Sequence, residues 1–327
     1  MEDGRVTAVV INYNNGSYIE KCIRSLAEQT YPGMEVVVVD DGSSDESRTV
    51  ISELQKEYPC VHLFAQYNHG ISYTRNIGVA LVHTEYFMFV DSDDWCEKNM
   101  VARMMGEMKK DADCDMVECG FTMDYPLGKL YRLAPHNRSY SRMEALHALL
   151  GNTRVNNYPW GKLYRTETFR DVLFPLSCEG YEDIATIYRC MENCRRIRTI
   201  SDRLYHYVQH SGSYTGVPSM KKNEAMVHQF EMQAAALQAR YPDEPFDTTE
   251  NMYRSAMFIL FTAILYSQRK EIPGTCRLPY FHFTRIPLIF LLAYVLLEIL
   301  LFIRHGIWLH RKAPGPQSSM EEIGEYM

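Results

Sequence analysis

The chain has 327 residues, of which 34 are Lys or Arg and 41 are Asp or Glu, for a formal net charge of −7. With 46% apolar and 23% charged residues it has the composition of a folded chain rather than a disordered one, and the length suits about two domains. The acidic surplus argues against a nucleic-acid binder, and nine scattered cysteines with no CxxC pair argue against a disulfide framework or a zinc ribbon.

The opening sequence MEDGRVTAVV lacks the basic and long apolar regions of a signal peptide, so reduced thiols and a cytoplasmic setting are expected. From there the first 110 residues alternate strand and helix signals. Val6 to Asn12 is a short apolar run suited to a buried strand. Ser17 can cap a helix whose apolar residues Ile19, Cys22, Ile23 and Leu26 follow helical spacing, and Tyr31-Pro32-Gly33 ends it. Met34 to Asp40 carries four consecutive valines, a β-branched run expected to be buried on both faces. Ser44 or Asp45 can cap a second helix with Val50, Ile51 and Leu54 inward. Val61 to Ala65 reads as a strand, Ile71 to Val82 as a helix, Glu85 to Val90 as a strand and Glu97 to Lys110 as a helix. Repeated strand–helix units predict a parallel sheet with helices on its faces. The middle is less regular: a strand over Asp115 to Tyr125, helices from Ser141 and over Glu182 to Cys194, and a strand over Leu204 to Val208. Long helical patterns follow at Met220 to Arg240 and Thr249 to Gln268, and Pro273-Gly274 reads as a linker.

In a parallel sheet, ligands bind beyond the carboxyl ends of the strands. The second predicted strand ends in Asp40-Asp41-Gly42-Ser43-Ser44-Asp45, the fourth in Asp91-Ser92-Asp93-Asp94-Trp95. So many carboxylates repel one another unless a cation or hydrogen-bond donors offset the repulsion. Asp91 and Asp93 suit a hard divalent ion that also touches phosphate oxygens. Turns and helix caps account for the same residue types without any ligand. No GxGxxG or GxxxxGK[ST] follows the first strand, where the chain reads Asn12-Tyr13-Asn14-Asn15-Gly16, and this counts against a dehydrogenase and a P-loop phosphotransferase. Arg75, on a helix beginning near Gly70, can reach a diphosphate or pair with a nearby aspartate.

The stretch VVINYNNGSYIEKCIRSLAEQTYPGMEVVVVDDGSSDES, with NHGISYTRNIGVA and EYFMFVDSDDW after it, resembles the family 2 glycosyltransferases with a GT-A fold. The resemblance is close over residues 5–110. It continues more weakly through Trp160-Gly161-Lys162-Leu163-Tyr164, Tyr181-Glu182-Asp183 and Leu204-Tyr205-His206-Tyr207, a part similar to the acceptor side of bacterial polysaccharide-building members. It implies a mostly parallel α/β GT-A sheet over 1–215, with a nucleotide-sugar half at 1–112 and an acceptor half at 113–215; beyond about residue 220 it says little, and the residues themselves read as a helical extension over 216–272 and a membrane-associated apolar helix with a polar tail over 273–327. It implies further that Asp41 contacts the uracil of a UDP-sugar, with Asn12, Asn14 and Ser92 on the donor side, although the Asn12 loop departs from the proline-containing sequence common in relatives. Asp91 would approach the ribose side, Asp93 would ligate Mn2+ or Mg2+, and Arg75 would contact the phosphates or Asp91. Asp183 would be the catalytic base, with Glu182 beside it, and direct displacement by a single base implies inversion. A helix N-terminal acidic pair explains Glu182 and Asp183 equally without catalysis. His206 is a weaker metal candidate, and Trp160 and Tyr164 either stack on an acceptor sugar or pack in the core.

Ile286 to Ile303 is an eighteen-residue run broken only by Pro287 and Glu298, at the lower length limit for a membrane span, with basic residues on both sides. Membrane association at the inner face of the cell membrane is expected, by a re-entrant or surface-lying helix rather than a full span that would put the basic tail outside, and a buried or subunit-pairing helix is the soluble alternative. The expected activity is metal-dependent, inverting transfer from a UDP-sugar to a saccharide or lipid-linked saccharide in cell-surface polysaccharide assembly. A non-catalytic sugar-nucleotide-binding scaffold and a sugar-nucleotide nucleotidyltransferase are the alternatives.

Overall fold

The computed structural model describes residues 4–126, 128–131, 135–151, 154–178, 180–210 and 220–247, together with 296 and 299. The chain forms two compact units, one of Met1–Gly216 with Met232–Phe246, the other of Val217–Glu231 with Asp247–Met327. The predicted helix at 249–268 and the apolar run at 286–303 lie outside the described residues, apart from 296 and 299. Among the described residues no helix is long and apolar enough to cross a membrane.

The first unit begins with the alternation read from the sequence. Its elements are β1 (Val6–Asn12), α1 (Gly16–Ala27), β2 (Met34–Asp40), α2 (Ser47–Glu57), β3 (Val61–Ala65), α3 (Ile71–Ala80) and β4 (Tyr86–Asp91). Then come β5 (Trp95–Cys96), α4 (Met100–Met108), β6 (Cys114–Tyr125), β7 (Gly128–Tyr131), β8 (Arg138–Ser141) and α5 (Arg142–Leu150). The series closes with β9 (Lys162–Arg165), α6 (Glu182–Glu192), β10 (Arg196–Val208) and α7 (Met220–Arg240), of which 232–240 belong to this unit. The ten strands form one sheet in the order β3-β2-β1-β4-β9-β6-β10-β5, with β7 on β6 and β8 on β10. β3, β2, β1 and β4 run parallel, β9 enters antiparallel between β4 and β6, and β6 and β10 are again parallel to each other. Two reversals around β9 bring β10 back to the direction of β1, so β1, β2, β4 and β10 end at the same edge.

The all-buried β1 and β2 follow from being covered on both faces. Alternate side chains go to opposite layers, as the two-residue period of a strand requires. Val6, Ala8 and Val10 of β1 and Met88 and Val90 of β4 pack with Ile19, Ile23 and Leu26 of α1. Val9, Ile11, Phe87 and Phe89 pack on the other side with Leu146, Leu149, Tyr164 and Ile187. Each fully buried Val, Phe or Met there contributes about 1.5–3 kcal/mol by leaving water.

Three details differ from the sequence reading. α1 starts at Gly16 and α2 at Ser47, and neither cap residue supplies a side-chain bond. Asp45, one of the two expected caps of α2, does accept from Ser47 N (3.0 Å), and the same carboxylate accepts from Gly16 N (2.8 Å) in place of the expected Ser17 cap of α1, so it satisfies orphan amides of two helices. β10 is much longer than predicted, because its polar first half (Arg196, Arg198, Asp202, Arg203) hides the strand alternation and register shifts interrupt it. β9 has only four residues and takes its identity from its neighbours β4 and β6.

Candidate active site

Two turns sit at the common carboxyl edge. Asn12 lies opposite Asp40 and Ile11 opposite Asp91, so the turn after β2 and the turn after β4 flank β1. Asp40 faces inward and is fully buried, accepting from Asn12 Nδ2 (2.8 Å), Ser43 N (3.1 Å) and Arg48 Nε (2.5 Å). Burial pushes its carboxyl up, but the bonds from Ser43, Arg48 and Asn12 outweigh it and hold the group below its usual range. Asn14, with φ 52°, donates its N–H to Ser43 Oγ (2.9 Å) and accepts from Ser44 N (2.8 Å). The two expected donor-side asparagines thus knit the loop after β1 to the turn after β2. Gly42 makes that turn possible: its φ is +83°, and a Cβ there would meet Asn68 N at 2.6 Å.

Asp41 is 4% exposed and accepts from Gln66 Nε2 (2.8 Å), His69 N (2.8 Å) and Gly70 N (2.9 Å). Oδ1 takes two of these bonds and Oδ2 only one, which leaves Oδ2 acceptor capacity. The same bonds fix the approach to α3 and therefore the position of Arg75.

Arg75 is 3% exposed and joins the two halves of the site. Its Nη1 donates to Glu182 and its Nη2 to Asp91 (3.3 Å), and its guanidinium lies 5.4 Å from the Phe174 ring. Burial works against the cation, while Glu182, Asp91 and Asp183 favour it, and the net is upward. Asp91 is pushed up to about 6, first by burial, with Arg75 opposing and Asp93 adding. Asp183, half-buried at the start of α6, is pushed up to about 7 by burial and then by the Glu182 charge, against the pull of Arg75. The residue before this pair, Tyr181, has φ 58°, a left-handed conformation rare outside glycine that turns the chain into α6.

In the second turn the carboxylates divide by direction. Asp94 is 1% exposed and accepts from Tyr205 Oη (2.6 Å) and Val208 N (2.8 Å), which ties the turn to β10. Ser92 is buried and accepts from Asn15 Nδ2 (2.8 Å). Asp93 faces His210 Nε2 at 3.0 Å, and the His210 ring stacks on Tyr18 with centroids 4.4 Å apart. Asp93 and His210 supply one carboxylate and one imidazole, a donor set that suits a divalent cation sharing its remaining positions with phosphate oxygens. Among the described residues no group of three or more His, Cys, Asp or Glu is arranged to hold a metal by itself.

The weaker expectations at this site need correction. His206 is buried, with Nδ1 facing Asp124 (3.1 Å), Nε2 facing Glu97 (2.9 Å) and Trp95 stacked on the ring at 3.5 Å, so the carboxylates it meets lie on β6 and just past β5 and are not those of the Asp91–Asp94 turn. Trp160 has both ring faces covered, by Tyr158 at 4.5 Å and Tyr205 at 4.6 Å, so neither is open to a pyranose. Tyr164 is fully buried beside Phe87 and Phe169 and donates its hydroxyl to Pro159 O (2.8 Å). Both aromatics pack in the core. His210 shares a metal-like His206-x-x-x-His210 spacing in the sequence, where both imidazoles read as structural or surface residues with His206 the weak candidate, and the structure brings His210 instead to Asp93. His210 lies two positions past the end of β10, and the rule that found Asp41 and Asp91 finds it too once β10 is known to end at the same edge.

Comparison with known proteins identifies the family and the fold. The family model described as Glycosyl transferase family 2 matches residues 7–173. EpsH of Bacillus subtilis is 29% identical over 249 residues, covering 73% of this chain and 70% of its own length. The glycosyltransferase GlyG of Streptococcus pneumoniae is 29% identical over 218 residues, covering 64% of this chain and 72% of its own. Among solved structures, S. aureus TarS 1–349 in complex with UDP-GlcNAc superposes with a TM-score of 0.60 at 19% identity, covering 94% of this chain and 93% of that one. The chain spans about half of the longer TarS structure (52%). The fold is that of the GT-A glycosyltransferases, and the match of the family model over more than half of the sequence places this chain in glycosyl transferase family 2.

Proposed function

We propose that this chain transfers a hexosyl or N-acetylhexosaminyl group from a UDP-sugar to a hydroxyl of a saccharide or lipid-linked saccharide, with inversion at the anomeric carbon and with a divalent cation. The observation that carries the reading is Asp183, a carboxyl with its pKa raised to about 7 beside the Arg75–Glu182 ion pair, at the strand edge where two acidic turns meet. A base poised near the working pH is partly ionised there and still strong enough to accept a proton.

The remaining roles follow from chemistry. Asp41 Oδ2 accepts the imide N–H of uracil, and its bonds to His69 and Gly70 keep the carboxylate aimed. Asn12, Asn14 and Ser92 hold the loops against which the nucleoside lies, and Asp91 approaches the ribose. Asp93 and His210 are the residues that would hold Mn2+ or Mg2+. When bound, that cation offsets the negative charge that develops on the departing UDP. Arg75 keeps Asp91 and Glu182 in register, so the donor-side turn and the base move as one unit. Asp183 takes the proton of the attacking hydroxyl on the face opposite the leaving group. With no covalent nucleophile in this scheme, an α-linked donor gives a β-linked product. UDP-GlcNAc in the TarS complex supports the uridine donor, and a Mn2+-bound mannosyltransferase from Pyrobaculum calidifontis with a TM-score of 0.52 supports the metal. The proposed setting is the inner face of the cell membrane, where a lipid-linked acceptor and a cytoplasmic UDP-sugar meet.

The test incubates the full chain with UDP-, GDP- and TDP-sugars and Mn2+, with and without saccharide acceptors, and follows nucleotide release and product anomeric configuration. Release of UDP with a β-linked product supports the reading. UDP and metal binding with no turnover on any donor replaces it with the scaffold reading, and release of pyrophosphate from UTP and a sugar phosphate replaces it with the nucleotidyltransferase one.

A further inference from the structure

One buried charge pair has no part in that scheme. Lys162 of β9 is 0% exposed and Glu118 of β6 is 1% exposed, and their charged atoms lie 3.4 Å apart. The ammonium donates to Asn156 Oδ1 (2.8 Å) and Tyr158 O (2.7 Å), and it faces Glu118 Oε2 as an ion pair without a hydrogen bond. Asn156 closes the ring by donating Nδ2 to Glu118 Oε1 (2.6 Å). Burying two charges costs several kcal/mol each, and replacing such a pair by apolar side chains is commonly neutral or better for stability. Stability therefore does not account for keeping it. What the pair does is clamp a stretch of irregular backbone at 156–158, whose polar groups need partners once buried.

That stretch is tied onward. Asn157, 1% exposed, accepts at Oδ1 from Gln233 Nε2 (2.7 Å), and the same Gln233 nitrogen donates to Ile184 O (2.9 Å). Ile184 is the next residue after Asp183, and its N–H donates to Asp183 Oδ1 (2.8 Å). The Lys162 charge also reaches Asp183 directly. We propose that Lys162 is a positioning residue for the base: paired with Glu118 it fixes the 156–158 loop, and through Asn157 and Gln233 that loop holds the first turn of α6 and so the direction of the Asp183 carboxylate. This rests on the reading of Asp183 as the base. The charged and titratable groups facing Asp183 are Glu182 on its own helix, Arg75 from α3, Asp91 from β4, Lys162 from β9 and the Cys178 thiol from the preceding loop. Arg75 and Lys162 favour the carboxylate, and Glu182 and Asp91 oppose it.

The test uses the full chain carrying Lys162→Met with Glu118→Gln, which removes both charges together. We expect a folded protein in which the Thr186 and Ile187 amides exchange at least tenfold faster while β1 amides keep their wild-type rates. The Asp183 carboxyl, followed by carbon NMR and assigned with Asp183→Asn, should titrate at higher pH than in the wild type. In the transfer assay kcat should fall at least tenfold with donor KM within twofold. A folded double variant with wild-type exchange and wild-type Asp183 titration overturns the inference. Should the double variant not fold, Gln233→Met keeps the ion pair and cuts only the bridge to Ile184: faster exchange of the same amides supports the inference, and unchanged exchange overturns it. Exchange and titration need no turnover, so a wild-type protein that transfers no sugar sinks the transferase reading and leaves these measurements to decide this one.

Discussion

Glu182→Gln isolates the electrostatics of the site. In the wild type Asp183 is pushed from its ordinary 3.8 to about 7, with burial the largest cause and the Glu182 carboxylate next. Gln keeps the shape and an oxygen acceptor for Arg75 but removes the charge. Two effects then act in one direction: the repulsion on Asp183 disappears, and Arg75 loses its strongest anionic partner and pulls harder on Asp183 and Asp91. Two unit charges about 6 Å apart interact by about 3 kcal/mol at an effective dielectric of 20. That equals about two pKa units at most, and because burial remains the larger cause we expect about one. The assay is kcat for UDP release from pH 5 to 9 at saturating donor and acceptor. Asp183 acts as a base only when deprotonated, so the wild-type rate should fall below about pH 7. In Glu182→Gln that acid limb should move down by about one pH unit, while lost charge-assisted bonding to Arg75 destabilises the fold by about 1.5–3 kcal/mol. A folded variant whose acid limb stays at the wild-type pH, or moves up, refutes the reasoning.

Asp183→Asn should lower kcat by about 10²–10⁴-fold with UDP affinity unchanged by calorimetry, and full activity would remove Asp183 as the base. Asp93→Ala and His210→Ala should each weaken Mn2+-dependent UDP binding at least tenfold, whereas His206→Gln should leave its metal dependence intact; the opposite pattern would return the metal to His206. Arg75→Met strands the buried Glu182 and the half-buried Asp91 without their cation and should cost about 3 kcal/mol in urea unfolding at pH 8. Because the folded pKa of Asp183 lies above its unfolded value, the folded state binds the extra proton between about 3.8 and about 7. Its penalty is complete above pH 7 and fades below, so metal-free protein should be more stable at pH 6 than at pH 8, and Asp183→Asn should flatten that slope.

The strand–helix alternation through Asp91 was legible in the sequence because it is written in local chemistry. Buried β-branched runs, helical apolar spacing and Asp-Gly-Ser turns each report on a few neighbouring residues, and the parallel-sheet rule then points to Asp41, Asp91 and Asp93. Asp183 and Glu182 were legible only through family resemblance, since an acidic pair at a helix start reads equally well as a response to the helix dipole. Tertiary structure decided the rest. His206 and His210 are four residues apart in an aromatic, strand-like stretch, and nothing local says that one is enclosed by Asp124 and Glu97 while the other faces Asp93. Trp160 has the composition of a sugar platform until two further rings are found on its faces. The Arg75–Glu182 bond spans 107 residues and the Tyr205–Asp94 bond 111, distances at which pattern carries no information. Hydrophobic periodicity fixes which face of an element is buried, whereas the partner of a buried charge is fixed by where other elements stop, and only the folded sheet brings those ends to one edge.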